Sequence, residues 1–160
     1  MIVRAYIGLG ANLGEAANTL QVALQAIGLL PESWLLAASP LYRSAPVGYL
    51  DQPDFVNAVA CIETTRPPLQ LLTDLQALEE QSGRQRTFRN APRTLDLDLL
   101  LYGDCVLNEP DLELPHPRMH QRGFVLVPLL DIAPDIIIPG VGPANRCASL
   151  LDLTDLVKLE

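Results

Sequence analysis

Residues 92–100 read PRTLDLDLL, and the chain continues through Leu101 and Tyr102. Leucine alternates with aspartate here, and side chains on a strand alternate between its two faces. The stretch is therefore expected to be a strand, with Leu95, Leu97, Leu99 and Leu101 on one face. Asp96, Asp98, Leu100 and Tyr102 take the other. The leucine face demands a core. A helical pattern upstream makes this the closing strand of a strand–helix–strand unit. The aspartates are the anomaly, because Asp is depleted in strands, where its short side chain competes for backbone hydrogen bonds. At i and i+2 they share a face, roughly 6.5–7 Å apart along the strand. Like charges that close repel unless a cation neutralises them. The spacing alone divides evenly between a solvated polar strand end and a divalent-metal site.

Outward from this strand the rest of the architecture can be read. Residues 2–9 form a strand, and 15–29 a helix with Leu20, Ala23, Leu24 and Ile27 on one face. Residues 34–44 are extended, Pro46, Gly48 and Pro53 break the chain into a loop, and 54–64 are extended again. Pro67 and Pro68 open a helix that runs to Gln81, with Leu69, Leu72, Leu75 and Leu78 as its apolar positions and Gly83 as its stop. An arginine-rich loop leads to Pro92. Helices follow near 123–132 and 146–156. Strand–helix–strand thus occurs twice, which is the split-βαβ, ferredoxin-like order of an α+β fold: an antiparallel sheet with helices on one face, plus C-terminal additions. No repeat, linker or low-complexity tract divides residues 1–160, so one domain is expected.

Composition narrows the function. With 49% hydrophobic and 19% charged residues the chain is globular. No apolar run approaches the roughly 18 residues that span a bilayer. Arg4 interrupts the first strand and no signal-peptide core follows, so a cytoplasmic protein without membrane association is expected. Cys61, Cys105 and Cys147 are odd in number and lack a CxxC spacing, which argues against a disulfide framework or a zinc site. The net charge of −8 argues against a polynucleotide ligand. Yet Arg84, Arg86, Arg89, Arg93, Arg118 and Arg122 crowd into one quarter of the chain. Local arginine in an acidic protein suits a small anion, because the guanidinium fork grips phosphate oxygens in pairs.

Several shorter motifs carry weaker signals. GLGANLG, residues 8–14, lacks the dinucleotide fingerprint spacing and the P-loop lysine. A tight turn that uses Gly8, Gly10 and Gly14 for unusual backbone angles is the simpler reading. In FVNAVACI, residues 55–62, Phe55, Asn57, Val59 and Cys61 share a face. An aromatic beside an amide can stack on a flat heterocycle and bond its edge, although core packing would also account for it. Gln76 and Glu79 are neighbours on the second helix, where an ordinary solvated face is the simpler reading. In LPHPRMHQRGF, residues 114–124, His116 lies between prolines and suits phosphate hydrogen bonding better than metal ligation. Together these features describe one site: a carboxylate pair for metal, arginines for phosphates, and aromatic and amide groups for a flat ring.

Beyond this reading, the blocks SPLYRSAPVGYLDQPDFVNA, EEQSGRQR, APRTLDLDLLLYGD and LPHPRMHQRGFVLVPLLDIAPD resemble the 6-hydroxymethyl-7,8-dihydropterin pyrophosphokinases. The resemblance runs nearly end to end, from YIGLGANLG to IAPD. It implies transfer of pyrophosphate from ATP to the pterin hydroxymethyl group, releasing AMP, in folate biosynthesis. It implies two Mg²⁺ ions held by Asp96 and Asp98, with ATP as co-substrate. It places Gln76, Glu79, Arg86, Arg93, His116 and Arg122 on the ATP side. Ser44, Val47, Phe55, Asn57 and Phe124 fall around the pterin, and Arg84 and Arg93 act on the phosphates during transfer. Loops 44–53 and 83–93 are expected to close over the substrates. The implied partners are these small molecules alone, bound by a monomer. The chain departs from the family pattern at Asn90 and Ala91, where an aromatic and a glycine are usual, with Phe88 as the nearby substitute. It departs again at Asp111 and Pro117. The rival readings are a metal-dependent nucleotide phosphohydrolase and a ferredoxin-like nucleotide-sensing or RNA-binding module. The module lacks both positive charge and an aromatic RNA-binding signature.

Overall fold

A computed structural model of the chain describes residues 1–46, 51–82 and 94–159. The order is β1 (Val3–Ala11), α1 (Ala16–Ile27), β2 (Ser33–Ala38), β3 (Tyr42–Ser44), β4 (Phe55–Thr64), α2 (Pro68–Gln81) and β5 (Asp96–Tyr102). Two short strands follow, β6 (Leu107–Glu109) and β7 (Leu112–Leu114), then a 3-10 turn at Met119–Gln121 and α3 (Gly123–Ile132). The chain ends with β8 (Ile137–Ile138), β9 (Gly142–Pro143), α4 (Ala144–Ser149) and β10 (Val157–Lys158).

Among the described residues the main sheet has six strands. Its order is β10-β3-β4-β1-β5, with β2 also beside β4. Every pairing in it is antiparallel. The long β4 pairs with β1 along one side and with β2 and β3 on the other, so residues 34–44 form two strands rather than one extended run. Pro40 lies between them and cannot donate to the ladder.

The two faces carry two cores. On one, Leu20, Ala23, Leu24 and Ile27 of α1 and Leu71 and Leu75 of α2 pack on Ala5, Ile7, Leu9, Leu97 and Leu99. Each fully buried leucine or isoleucine contributes about 1.5–3 kcal/mol by leaving water. The helices of both strand–helix–strand units thus share one face, as expected. The C-terminal additions cover part of the other: α3 and α4 bring Val125, Leu126, Leu129, Ala144 and Ala148 against Val59, Leu100 and Leu101.

Four further expectations need correction. Alternation in β5 breaks at Leu100. Tyr6 faces Leu101 and Ile7 faces Leu99, which leaves Leu100 as an extra, bulged residue. Leu101 therefore joins Leu100 in the second core, and Tyr102 packs on the first, its hydroxyl donating to the Arg66 carbonyl at 2.7 Å. In α2 the buried line is Leu71, Leu75 and Glu79, while Leu69 is 47% exposed. A strict three-residue spacing loses about 60° per step on a 3.6-residue helix, so positions 69, 72, 75 and 78 cannot share one face. Gly8 and Gly10 are interior residues of β1, and only Gly14 of that motif has a positive φ, +61°. Finally, the last helix stops at Ser149 instead of running to 156. Asp152 Oδ1 accepts from the Thr154 backbone N–H at 3.0 Å and from its hydroxyl at 2.8 Å, a local turn that competes with helix.

Candidate active site

The second face of the sheet is left open beside α3, and the residues that alternate toward it build the site. From β4 come Phe55 and Asn57. From β5 come Asp96 and Asp98, on the stretch before the bulge. From β3 comes Ser44. They line a cavity of about 330 Å³, closed on the far side by Arg122, Gly123 and Phe124. The sheet register fixes this grouping. On β1, Gly10 lies between Asn57 and Asp96, and Gly8 lies between Val59 and Asp98.

The two glycines therefore serve as a floor without side chains. A Cβ on Gly10 would stand 3.2 Å from Asn57 Oδ1, and one on Gly8 would stand 3.4 Å from Leu100. Asn57, 4% exposed, donates its amide N–H to Ser44 Oγ at 2.7 Å. That bond orients the amide of a buried polar group, which needs a partner in any case. Tyr42, at the start of β3, donates its hydroxyl to Asp131 of α3 and so ties the two walls together. Burial and that bond push the Tyr42 phenol up to about 12. Asn12 holds the base of the preceding loop, donating to Gln52 at 2.7 Å and to the Pro53 carbonyl at 3.0 Å.

A second cavity of about 270 Å³ adjoins, lined by Leu72, Asp98, Glu109, Asp111, Glu113 and His116 among others. Asp98 borders both. His116 Nδ1 accepts the Arg118 backbone N–H at 3.1 Å. Burial, then the charge of Arg122, lowers its pKa to about 4, with Asp96 pulling the other way. The ring is neutral at neutral pH, and with Nδ1 accepting it carries its proton on Nε2. It is built as an uncharged donor.

The remaining expected residues divide. Arg122 lies over the Phe124 ring, 5.6 Å from its centroid, so it meets the ring side of the site as well as the side expected for phosphates. Glu79 is buried rather than solvated, 5% exposed, and Glu79 Oε2 accepts the Leu97 backbone N–H at 2.7 Å. It thereby props the strand segment between the two aspartates. Gln76 is exposed on α2 and lines neither cavity among the described residues. Val47, Arg84, Arg86 and Arg93 lie outside the described residues, as do Phe88, Asn90 and Ala91. Sequence reasoning missed the glycine floor, and also Asp152, Leu153, Asp155 and Leu156, which line the first cavity from the C-terminal segment.

Comparison with known proteins identifies the family. Residues 6–134 match the family model of 7,8-dihydro-6-hydroxymethylpterin-pyrophosphokinase. A 2-amino-4-hydroxy-6-hydroxymethyldihydropteridine pyrophosphokinase of Pseudomonas aeruginosa is 52% identical over 139 residues, which is 87% of this chain and 86% of that one. The enzyme of the same name from Haemophilus influenzae is 49% identical over 138 residues, 86% of each. The crystal structure of Plasmodium falciparum HPPK-DHPS with pterin and p-hydroxybenzoate superimposes with a TM-score of 0.71 at 16% identity. It covers 94% of this chain but 42% of that one, and at that identity the likeness concerns the fold alone. The match takes in most of β1 and all of β4, β5 and α3, and the last three carry the carboxylates, the amide and both phenylalanines. The chain belongs to the 7,8-dihydro-6-hydroxymethylpterin-pyrophosphokinase family.

Proposed function

We infer that the chain transfers pyrophosphate from ATP to the hydroxymethyl group of 6-hydroxymethyl-7,8-dihydropterin, releasing AMP, a step of folate biosynthesis. The observation that carries this reading is the pair of cavities meeting at Asp98. One offers Phe55, Phe124 and an oriented Asn57 to a flat heterocycle. The other offers His116 as a neutral donor. A phosphate chain bridging them would bring the attacking hydroxyl and the β-phosphorus together at the carboxylates.

Asp96 and Asp98 fit a divalent metal. They lie on one strand face at the cavity, and no group of three or more His, Cys, Asp or Glu suited to a metal occurs among the described residues. Two carboxylates with the rest left to substrate oxygens and water is the arrangement Mg²⁺ prefers. Bound there, two Mg²⁺ ions would neutralise phosphate charge and polarise the phosphoryl group. The protein's own contribution is positioning and charge. Phe55 and Phe124 hold the ring, Asn57 bonds its polar edge, and Ser44 and Val47 complete that pocket. His116, Arg86, Arg122, Gln76 and Glu79 belong to the ATP side, Glu79 through the strand it props. Arg84 and Arg93 balance charge on the transferring group. Holding the reactants in line and meeting developing charge with fixed donors accounts for most of the catalysis in such reactions.

Among the described residues no helix is long and apolar enough to cross a membrane. We propose a monomer acting in the cytoplasm on these two small molecules. The test is the nucleotide product. With ATP, Mg²⁺ and 6-hydroxymethyl-7,8-dihydropterin, AMP should form one-for-one with the pterin diphosphate and only when pterin is present. ADP would mean a simple kinase. Nucleotide breakdown without pterin would mean a phosphohydrolase, a reading that no observation here favours.

A further inference from the structure

The C-terminal segment borders the first cavity although it lies beyond the family match, which ends at residue 134. It leaves α4, crosses beside the start of α3, and docks on the sheet edge as β10. There Val157 pairs with Arg43 and Lys158 with Tyr42, and the Leu159 N–H bonds the Leu41 carbonyl at 2.8 Å. Between these anchors the segment is self-held. Thr154 bonds Asp152 twice, and the Leu156 N–H reaches the Leu153 carbonyl at 3.1 Å. This turn delivers the Leu153 side chain onto Gly123, the first residue of α3 and the neighbour of Phe124. The approach is so close that a Cβ on Gly123 would lie 2.5 Å from Leu153 Cδ2. No positive φ calls for glycine at 123. The contact does.

We propose that Leu153 is a positioning residue for the pterin ring, acting through Gly123 to fix the Phe124 wall at the distance from Phe55 that a flat heterocycle needs. The inference rests on the pyrophosphokinase reading for the identity of the ring. Its chemical content is a van der Waals stop. A branched apolar side chain fills the space against a bare backbone and thereby sets where α3 begins. The ATP-side cavity is lined by none of these residues, and only Arg122, the residue before Gly123, links the two sides, so ATP should respond much less than pterin.

The experiment is a double-mutant cycle on the full chain, first confirming pterin-dependent AMP formation by wild type; its absence would sink the functional reading rather than this one. Leu153→Ala should raise the pterin KM about tenfold, equivalent to about 1.4 kcal/mol of ring binding, with the ATP KM within about twofold. Leu153→Met, which keeps the bulk, should restore the wild-type value. Gly123→Ala should impair pterin use in wild type but add less than about twofold in the Leu153→Ala background, because its clash partner is gone. The same cycle read as urea midpoints should be non-additive with no substrate present. An unchanged pterin KM in Leu153→Ala, equal rises for pterin and ATP, or additive midpoints would each overturn the proposal.

Discussion

At the scale of single residues, the proposed chemistry rests on carboxylates placed where a strand would ordinarily hold apolar side chains. Replacing Asp96 or Asp98 with Ala should lower kcat/KM by at least about a thousandfold, or roughly 4 kcal/mol of transition-state stabilisation. Steady-state AMP formation checks this, and activity within about tenfold of wild type would refute the metal assignment. His116 makes a prediction about pH. Its pKa in the folded protein is lowered to about 4, whereas an exposed histidine titrates near 6.5. Between those values the unfolded chain binds more protons, so the neutral ring's contribution to stability is present above about pH 6.5 and is lost as pH falls toward about 4. Urea midpoints between pH 7 and 4 should therefore fall less steeply in His116→Gln; an identical slope would count against the buried neutral ring. The aspartates, Phe55 and Asn57 were legible because strand alternation is a local rule. The purpose of Gly8 and Gly10 was not. A glycine that turns the chain and one that clears space look alike in sequence, and only the register against Asn57 and Asp98 separates them.

At the scale of elements, α2 is the instructive case. Its place in the chain, its Pro67–Pro68 start and its end at Gln81 follow from local signals. Its buried face does not, because Glu79 replaces a hydrophobic residue on the core side and accepts a backbone N–H from β5. Helical periodicity has no way to know that an edge strand will present an unpaired donor there. Glu79→Leu should cost about 1–3 kcal/mol in chemical denaturation, the penalty for orphaning a buried donor, and Glu79→Gln should cost less because it keeps an acceptor. Equal losses in the two variants would show that the Leu97 bond is not what Glu79 contributes. The C-terminal segment was unreadable for a related reason. Its leucines suggest a helix, but the Asp152–Thr154 turn and the pairing of β10 with β3 draw it across the site instead.

At the scale of the molecule, one sheet separates a face packed against α1 and α2 from a face that holds the candidate site. The first core joins α1 and α2 to the sheet, and the cavity opens on the other side. Leu71→Ala should therefore remove about 2–5 kcal/mol of stability while leaving the pterin KM of the folded enzyme near wild type. Phe124→Ala should do the opposite, weakening pterin more than ATP at modest cost in stability. Denaturation curves measured beside KM values for both substrates would show the crossover, and parallel losses in both variants would deny the division. The ferredoxin-like order was legible from element sequence alone, whereas the closing of the second face by α3 and α4 depends on long-range packing. The bulge at Leu100 also bears on tolerance to insertion and deletion. Losing one residue there would join Leu99 to Leu101 and restore simple alternation, with the pairing of both flanks unchanged. The acids would keep the cavity face and Tyr102 its bond to the Arg66 carbonyl, at the cost of the Leu100 side chain in the second core. The strand thus carries one residue more than its pairing needs, and a deletion at the bulge should be tolerated where a substitution of either aspartate is not.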